Sequence, residues 1–301
     1  MRLYKLIGLE IEALQAEHEE TMKNIALYKD ILDNYDSMAA VIIKDMDAIK
    51  KEYGRKRRTA IENAEEAVYE EKKMEEMEVC FLMDRFGYMK LIDKNAYERN
   101  KEAVHNENKY VFNCMNTDKI CIFTDTGKMH TIKAVDIPLG RFRDKGTPVD
   151  NLSNYDSSQE RMLYVAPVGQ LRSDRLLFVT KTSMCKLVEG AEFDVAKRTI
   201  ASTKLADGDE LIFIGSASEM EQIVLQSHGG CFLRFLTQEV STMKKTALGV
   251  RGMKLADDDY LEHAYLLAGH QEYTISYHDK EYALNKVRLA KRDTKGIKPR
   301  I

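Results

Sequence analysis

The chain has 301 residues, with 46 Lys+Arg against 49 Asp+Glu, five Cys, no Trp and four Pro. A hydrophobic content of 44% excludes wholesale disorder. No run approaches the roughly 18 apolar residues of a membrane span, and Met1 opens no signal-peptide pattern. The net charge of -3 excludes a uniformly basic nucleic-acid binder but hides an asymmetry.

Residues 1–78 carry 13 Lys+Arg and 19 Asp+Glu, whereas residues 79–301 carry 33 and 30. Fourteen of the 16 Gly lie at Gly87 or later, and all four Pro at Pro138 or later. Freedom from Gly and Pro suits long helices, and punctuation by them suits strands and turns. The pattern predicts a helical segment over 1–60, an acidic linker over 61–78 and a β-rich domain over 79–301.

In the leader, Ile11, Leu14, His18, Thr21, Ile25, Tyr28, Leu32 and Tyr35 step by three and four, the period of a coiled-coil seam. Ile11, Leu14, Ile25, Tyr28 and Leu32 are its candidate packing residues. A turn at 34–37, with Asp36 or Ser37 as N-cap, leads to a second helix striped by Ala39, Ile42, Met46, Ile49 and Tyr53. Gly54 is its expected C-cap, with Lys50 and Lys51 at the negative end. The apolar face is narrow and predicts pairing with one other helix.

After residue 78 the sequence repeats weakly. Apolar runs begin at Val79, Ile120, Leu176, Ile223 and Tyr273. Each meets a turn and then a second run carrying a basic residue or His, and in the fifth unit His278 to Tyr282 fills this place with no Gly. Basic loops recur late in the units, each before a polar turn and a new apolar run. Periods of about 40–50 residues are those of a propeller, because one blade cannot cover its own faces and a ring of blades can. The expected class is α+β multidomain, mostly a β propeller of about five blades behind an α-helical coiled-coil leader.

Cys80, Cys114, Cys121, Cys185 and Cys231 form no C-x-x-C pair and predict buried, reduced thiols. The seven His show no metal-ligand spacing, so no metal is expected. The Asp257–Asp259 run reads as a turn between blades, and Gly229–Gly230 as a hairpin turn.

The start of the leader (residues 1–10), Asp30-Ile31-Leu32, and Ile49 to Ile61 with its Arg57-Arg58-Thr59 resemble the A subunit of bacterial type IIA DNA topoisomerases, gyrase and topoisomerase IV. Gly87-Tyr88-Met89-Lys90 and Gly249-Val250-Arg251-Gly252 resemble the blade motifs of the same family. The resemblance implies a helix returning along a coiled-coil arm, then a propeller variant, the β-pinwheel, that binds and bends double-stranded DNA on its rim. It implies a bacterial, cytoplasmic, nucleoid-associated enzyme whose partners are the ATPase-bearing B subunit plus a second A subunit. Mg and ATP would serve the whole enzyme and no cofactor this segment. The DNA-cleaving tyrosine of the family lies upstream of this region, so no catalytic residue is assigned and the segment alone is expected to be inactive.

Gyrase carries a Gln/Arg/Gly-rich box in its first blade, and the stretch set against it here, Tyr97 to Asn108, has no Gly. With the modest +3 of residues 79–301, this favours a topoisomerase IV-like role in decatenation and relaxation over gyrase-style wrapping. The candidate rim residues are Lys133, Arg141, Arg143, Lys145, Lys197, Arg198, Arg234, Lys244, Lys245, Arg251, Lys254, Arg288, Lys291, Arg292, Lys295 and Lys298. Phosphate contacts from such residues position DNA without reading sequence. Gyrase-like wrapping and a protein-interaction propeller on a coiled-coil stalk are the alternatives.

Overall fold

The computed structural model describes residues 3–59, 75–269 and 272–299. It divides into two compact units, Met1–Lys72 and Lys73–Ile301. Residues 61–74, most of the expected linker, lie outside the described residues.

The first unit holds α1 (Leu3–Asp33) and α2 (Tyr35–Tyr53). The break between them is one extended residue, Asn34, with helical hydrogen bonds on both sides: Asn34 N donates to Asp30 O and Met38 N to Asn34 O. The N-cap is therefore Asn34, whose side chain accepts from Asp36 N at 3.1 Å, and not Asp36 or Ser37. Ser37 instead donates to the Asp30 carboxylate at 2.6 Å. Gly54 closes α2 by donating its N–H to Lys50 O.

In the second unit β1 (Glu78–Asp84) and β2 (Tyr88–Asp93) form a hairpin, and β3 (Asn108–Met115) adds to the free edge of β1. The next hairpin is β4 (Lys119–Thr124) and β5 (Lys128–Lys133). The short β6 (Thr147–Pro148) then turns back to pair with β2, and β7 (Met162–Pro167) adds to β4. The cycle repeats with hairpin β8 (Arg175–Thr180) and β9 (Met184–Glu189). There β10 (Thr199–Ala201) reaches back to β5, and β11 (Leu211–Ser216) adds to β8. It repeats again with β12 (Gln222–Ser227) and β13 (Phe232–Leu236). Now β14 (Val250–Arg251) returns to β9, and β15 (Leu261–Leu267) adds to β12. A fifth hairpin, β16 (Thr274–Tyr277) and β17 (Lys280–Ala283), is followed by a bridge from Ile297 back to Phe232 in β13.

Five hairpins thus begin within one residue of the five apolar runs. The strand exchange was not legible in the runs: each of the first three hairpins receives its last strand from the following repeat, and the fourth receives the Ile297 bridge. β3, β7, β11 and β15 touch in succession and gather at the inner side of the array. β6, β10 and β14 lie at the opposite ends of their sheets, so they form the outer edge.

Side chains alternate along a strand, and here both faces are covered. Ile120 and Ile122 pack against Phe81 and Met89 of the first blade. Cys121 and Phe123 pack against Leu176, Phe178 and Val188 of the third. Leu177 and Val179 face Ile223 and Leu225 of the fourth, where Val224 and Phe232 meet Ile275, Tyr277 and Tyr282 of the fifth. The first blade differs. Its second face, with Cys80, Leu82 and Ile92, is covered by two short helices, α3 (Lys94–Arg99) and α4 (Lys101–Glu107), chiefly through Val104 and Tyr97.

Phe123 is fully buried, its ring 5.0 Å from that of Phe193 and 6.2 Å from that of Phe178. Phe123→Ala is expected to destabilise the second unit by about 3–5 kcal/mol in denaturant unfolding, because the cavity opens between two blades.

The first four hairpins share a turn whose closing residue has positive φ: Gly87, Gly127, Ser183 and Gly230. Three of the four are Gly because a Cβ is disfavoured there. The fifth uses a two-residue turn, His278-Asp279, with φ of 50° and 59°. Cys80, Cys114, Cys121 and Cys185 are buried and free, and burial pushes their thiols up to about 11 or 12. Asp259 accepts from Gly229 N and Tyr260 N, which fixes the turn expected at 257–259.

Candidate nucleic-acid interface

A 3-10 turn follows the second strand of each hairpin from the second onward: Ala134–Asp136, Gly190–Phe193, Thr237–Glu239 and Leu284–Lys286. From each turn the chain runs to the outer edge of the preceding blade, and the basic loops are these links. Arg141, Arg143 and Lys145 precede β6, Lys197 and Arg198 precede β10, and Lys244 precedes β14. Lys291 and Lys295 precede the Ile297 bridge, and Lys298 follows it. The four loops therefore hold equivalent places on successive blades and place positive charge along one outer edge. Lys133 and Arg288 flank the turns, and Lys254 follows β14.

These twelve side chains are exposed, and among the described residues none makes an ion pair within 4.0 Å. Lys145 lies over the Tyr88 ring, 4.7 Å from its centroid.

Four other candidates have internal partners. Arg234 lies on β13, half-buried, and donates to the Asn285 carbonyl, so it holds a link rather than lining the edge. Lys245 donates its ammonium to Glu192 O at 2.9 Å, and its N–H to the Glu192 carboxylate at 3.0 Å. Arg292 repeats this one blade on, donating Nε to Glu239 O at 3.1 Å and its N–H to the Glu239 carboxylate at 2.9 Å. Both tie a loop to the turn of the neighbouring blade. Arg251 is exposed but forms a two-pronged ion pair with Asp293. The Arg251 hydrogen bonds hold the Asp293 carboxyl below the ordinary carboxylate range.

The stretch set against the gyrase box also moves. Tyr97 to Asn108 spans α3, α4 and the start of the inner strand β3, not an outer link. Its lack of Gly therefore says nothing about the outer links.

Gly146 and Gly249 sit at equivalent points just before β6 and β14, with φ of 82° and 104°. A Cβ on Gly249 would lie 2.7 Å from Cys185 O, and one on Gly146 would lie 2.6 Å from Met89 O. Both therefore need to be Gly for the link to press onto the preceding blade. Gly249→Ala is expected to cost about 1–3 kcal/mol and to speed amide exchange at Val250 and Arg251.

The second blade carries a buried polar network. His130, 1% exposed, places Nε2 3.1 Å from Glu160 Oε2 and Nδ1 3.2 Å from Thr199 Oγ1 on β10. Lys128 donates to the other Glu160 oxygen at 2.7 Å. Burial alone would raise the Glu160 carboxyl, but hydrogen bonds from Lys128 and His130 outweigh it and bring it to about 2. In the leader, Ile11, Leu14, Ile25, Tyr28 and Leu32 are all exposed, so the seam is uncovered among the described residues. Residues 55–58 are exposed and non-helical. Among the described residues no helix is long and apolar enough to cross a membrane, and no three His, Cys, Asp or Glu side chains cluster as metal ligands would.

The family described as DNA gyrase C-terminal domain, beta-propeller, matches residues 118–157, 174–218 and 221–268, which are the second, third and fourth repeats. These repeats belong to that family. The chain is 30% identical to the DNA gyrase A subunit of Clostridium acetobutylicum over 263 residues, 84% of this chain and 32% of that protein. It is 26% identical to the DNA gyrase A subunit of Ureaplasma parvum over 99% of this chain and 37% of that one, a match that includes the leader. The chain thus spans about a third of the length of these curated relatives. Its fold is also that of a solved C-terminal domain of DNA topoisomerase IV, with a TM-score of 0.64, 22% identity and coverage of 74% of this chain and 72% of that one.

Proposed function

We propose that the second unit is a non-catalytic module in the A subunit of a type IIA DNA topoisomerase, which holds and bends duplex DNA along the outer links and presents it for strand passage. The observation that carries this reading is the placement of Arg141–Lys145, Lys197–Arg198, Lys244 and Lys291–Lys298 at one recurrent edge. Bending a short duplex costs on the order of several kcal/mol, which contacts spread over four loops are suited to offset. The ATPase-bearing B subunit, the Mg and ATP of the whole enzyme and a second A subunit form part of the same proposal, with the leader seam as the surface that meets another helix of the arm.

Within this reading we favour topoisomerase IV-like decatenation and relaxation, because a net +3 leaves little charge for a full wrap. The gyrase reading has specific support in the relatives that are DNA gyrase A subunits. Ligation of nicked circular DNA with increasing amounts of the chain separates them. Little change in linking number supports the first, and a large positive shift supports wrapping. Absence of DNA binding at low salt defeats both and favours a protein-interaction propeller.

A further inference from the structure

The second strand of each of the first four hairpins carries one basic or His residue at its middle: Lys90, His130, Lys186 and Arg234. The edge contacts do not use them. The Lys186 side chain is 1% exposed. Its ammonium donates to Lys245 O and Ala247 O, both at 2.7 Å, and lies 5.6 Å from the Phe178 ring centroid. Lys90 does the same in the first blade, donating to Phe142 O and Asp144 O. Arg234 donates to Asn285 O in the fourth. Strand backbone also grips two of the loops: Met243 N donates to Leu187 O, and Gly140 N to Leu91 O.

The consequence is visible in the loops. The Lys245 and Ala247 carbonyls are drawn inward, and exposure alternates so that Lys244, Thr246 and Leu248 point out. The same pinning at Phe142 and Asp144 leaves Arg141, Arg143 and Lys145 outward. An unpinned loop of this length samples many shapes, and few of them aim all its cations at one phosphate track.

We propose that Lys90 and Lys186 are positioning residues for DNA contact: each ammonium, half-buried in Lys90 and buried in Lys186, clamps two main-chain carbonyls of an edge loop and so aims the loop's exposed cations, without touching DNA itself. This rests on the DNA-binding reading. Burial lowers the Lys186 ammonium to about 8, opposed by the nearby Glu192 carboxylate. Burial also lowers that of Lys90, opposed by Asp144, Glu107 and Asp84.

The test uses the full chain with Lys186→Met, Lys90→Met, the double variant and Lys186→Arg. It reads duplex-DNA affinity against salt and amide exchange in residues 141–147 and 244–250. Each Met variant is expected to weaken binding about tenfold, the loss of a pair of charged hydrogen bonds, and to speed exchange in its own loop. The salt slope is expected to stay unchanged, because an ammonium committed to two main-chain carbonyls neutralises no phosphate. Lys186→Arg is expected to restore affinity to within about twofold, since Arg234 fills the same position in the fourth blade.

A slope reduced by about one per lysine would make these residues phosphate ligands and overturn the proposal. Unchanged affinity with faster exchange would show that loop order does not govern binding, and overturn it too. Absence of binding by the unaltered chain would defeat the DNA reading, while the exchange data would still report the clamp.

The unaltered chain gives an arm that needs no substitution. Raising the pH through about 8 discharges Lys186 while ordinary lysines stay charged, so affinity is expected to fall several-fold. Because folding lowers this pKa, the same group makes stability rise with pH in that window. Lost affinity alongside retained folding is the expected result, and flat affinity from pH 7 to 9 would count against the clamp.

Discussion

Replacing Arg141, Arg143, Lys145, Lys244, Lys291 and Lys295 together with Ala is expected to weaken duplex-DNA binding by about 10²- to 10⁴-fold near physiological salt. That range follows from roughly 0.5–1 kcal/mol for each phosphate contact and no base contacts. The slope of log K against log salt should become less negative by about five, since each lost contact removes about 0.9. The losses should be similar for any duplex sequence, because phosphates carry no base identity. All six side chains are exposed and make no ion pairs among the described residues, so thermal unfolding should move little. Binding measured by fluorescence anisotropy over a salt series checks this. Retained affinity with a retained slope would remove the outer edge from the account.

Glu160→Ala is expected to destabilise the second unit through its buried polar network. Glu160 sits 3% exposed between Lys128 and His130. His130 in turn joins Thr199, which Asn154 also reaches at 3.1 Å. Removing the carboxylate strands a buried imidazole and loosens the strand that β5 receives from the next repeat. A cost of about 3 kcal/mol is expected in denaturant unfolding. The pH dependence has a definite sign. The folded carboxyl is held near 2 against an ordinary value near 4.5. Its contribution is therefore complete above the ordinary carboxylate range and is lost as pH falls toward 2. The variant should show a flatter loss of stability between about pH 5 and 2, and equally steep curves would contradict this role.

The strand starts were legible because two buried faces leave near-continuous apolar runs, such as Ile120 to Thr124 and Leu176 to Thr180. The basic loops were legible as a recurring pattern, and the structure adds that they occupy one recurrent edge. The exchange of strands was not legible. β6 and β14 are two residues long and carry no apolar run, and their pairing is set by contacts far away in sequence. Local charge did not separate Arg234, Lys245 and Arg292 from the outward cations, because a basic side chain that caps a carbonyl looks the same in sequence as one that meets a phosphate. The recurrence of Lys90, Lys186 and Arg234 on second strands was the available signal, since a mid-strand cation flanked by buried residues needs an acceptor. In the leader, the capping choice was displaced by two or three residues because Asn34 alone departs from helical geometry while hydrogen bonds continue around it.

The division of charge has a mechanical meaning. The acidic excess lies before residue 79, and the repeat domain is mildly basic. Of the sixteen candidate rim cations, four are taken up by internal partners and twelve remain exposed on or beside the outer links. That arrangement suits an edge that holds a bent duplex with a modest total charge.

Lysine acetylation with and without duplex DNA, read residue by residue by mass spectrometry, tests this account most directly. It predicts protection of Lys145, Lys197, Lys244, Lys291, Lys295 and Lys298, with no protection of Lys109 on the inner strand β3 or of Lys44 in the leader. Protection of Lys109 with the outer lysines left reactive would contradict it.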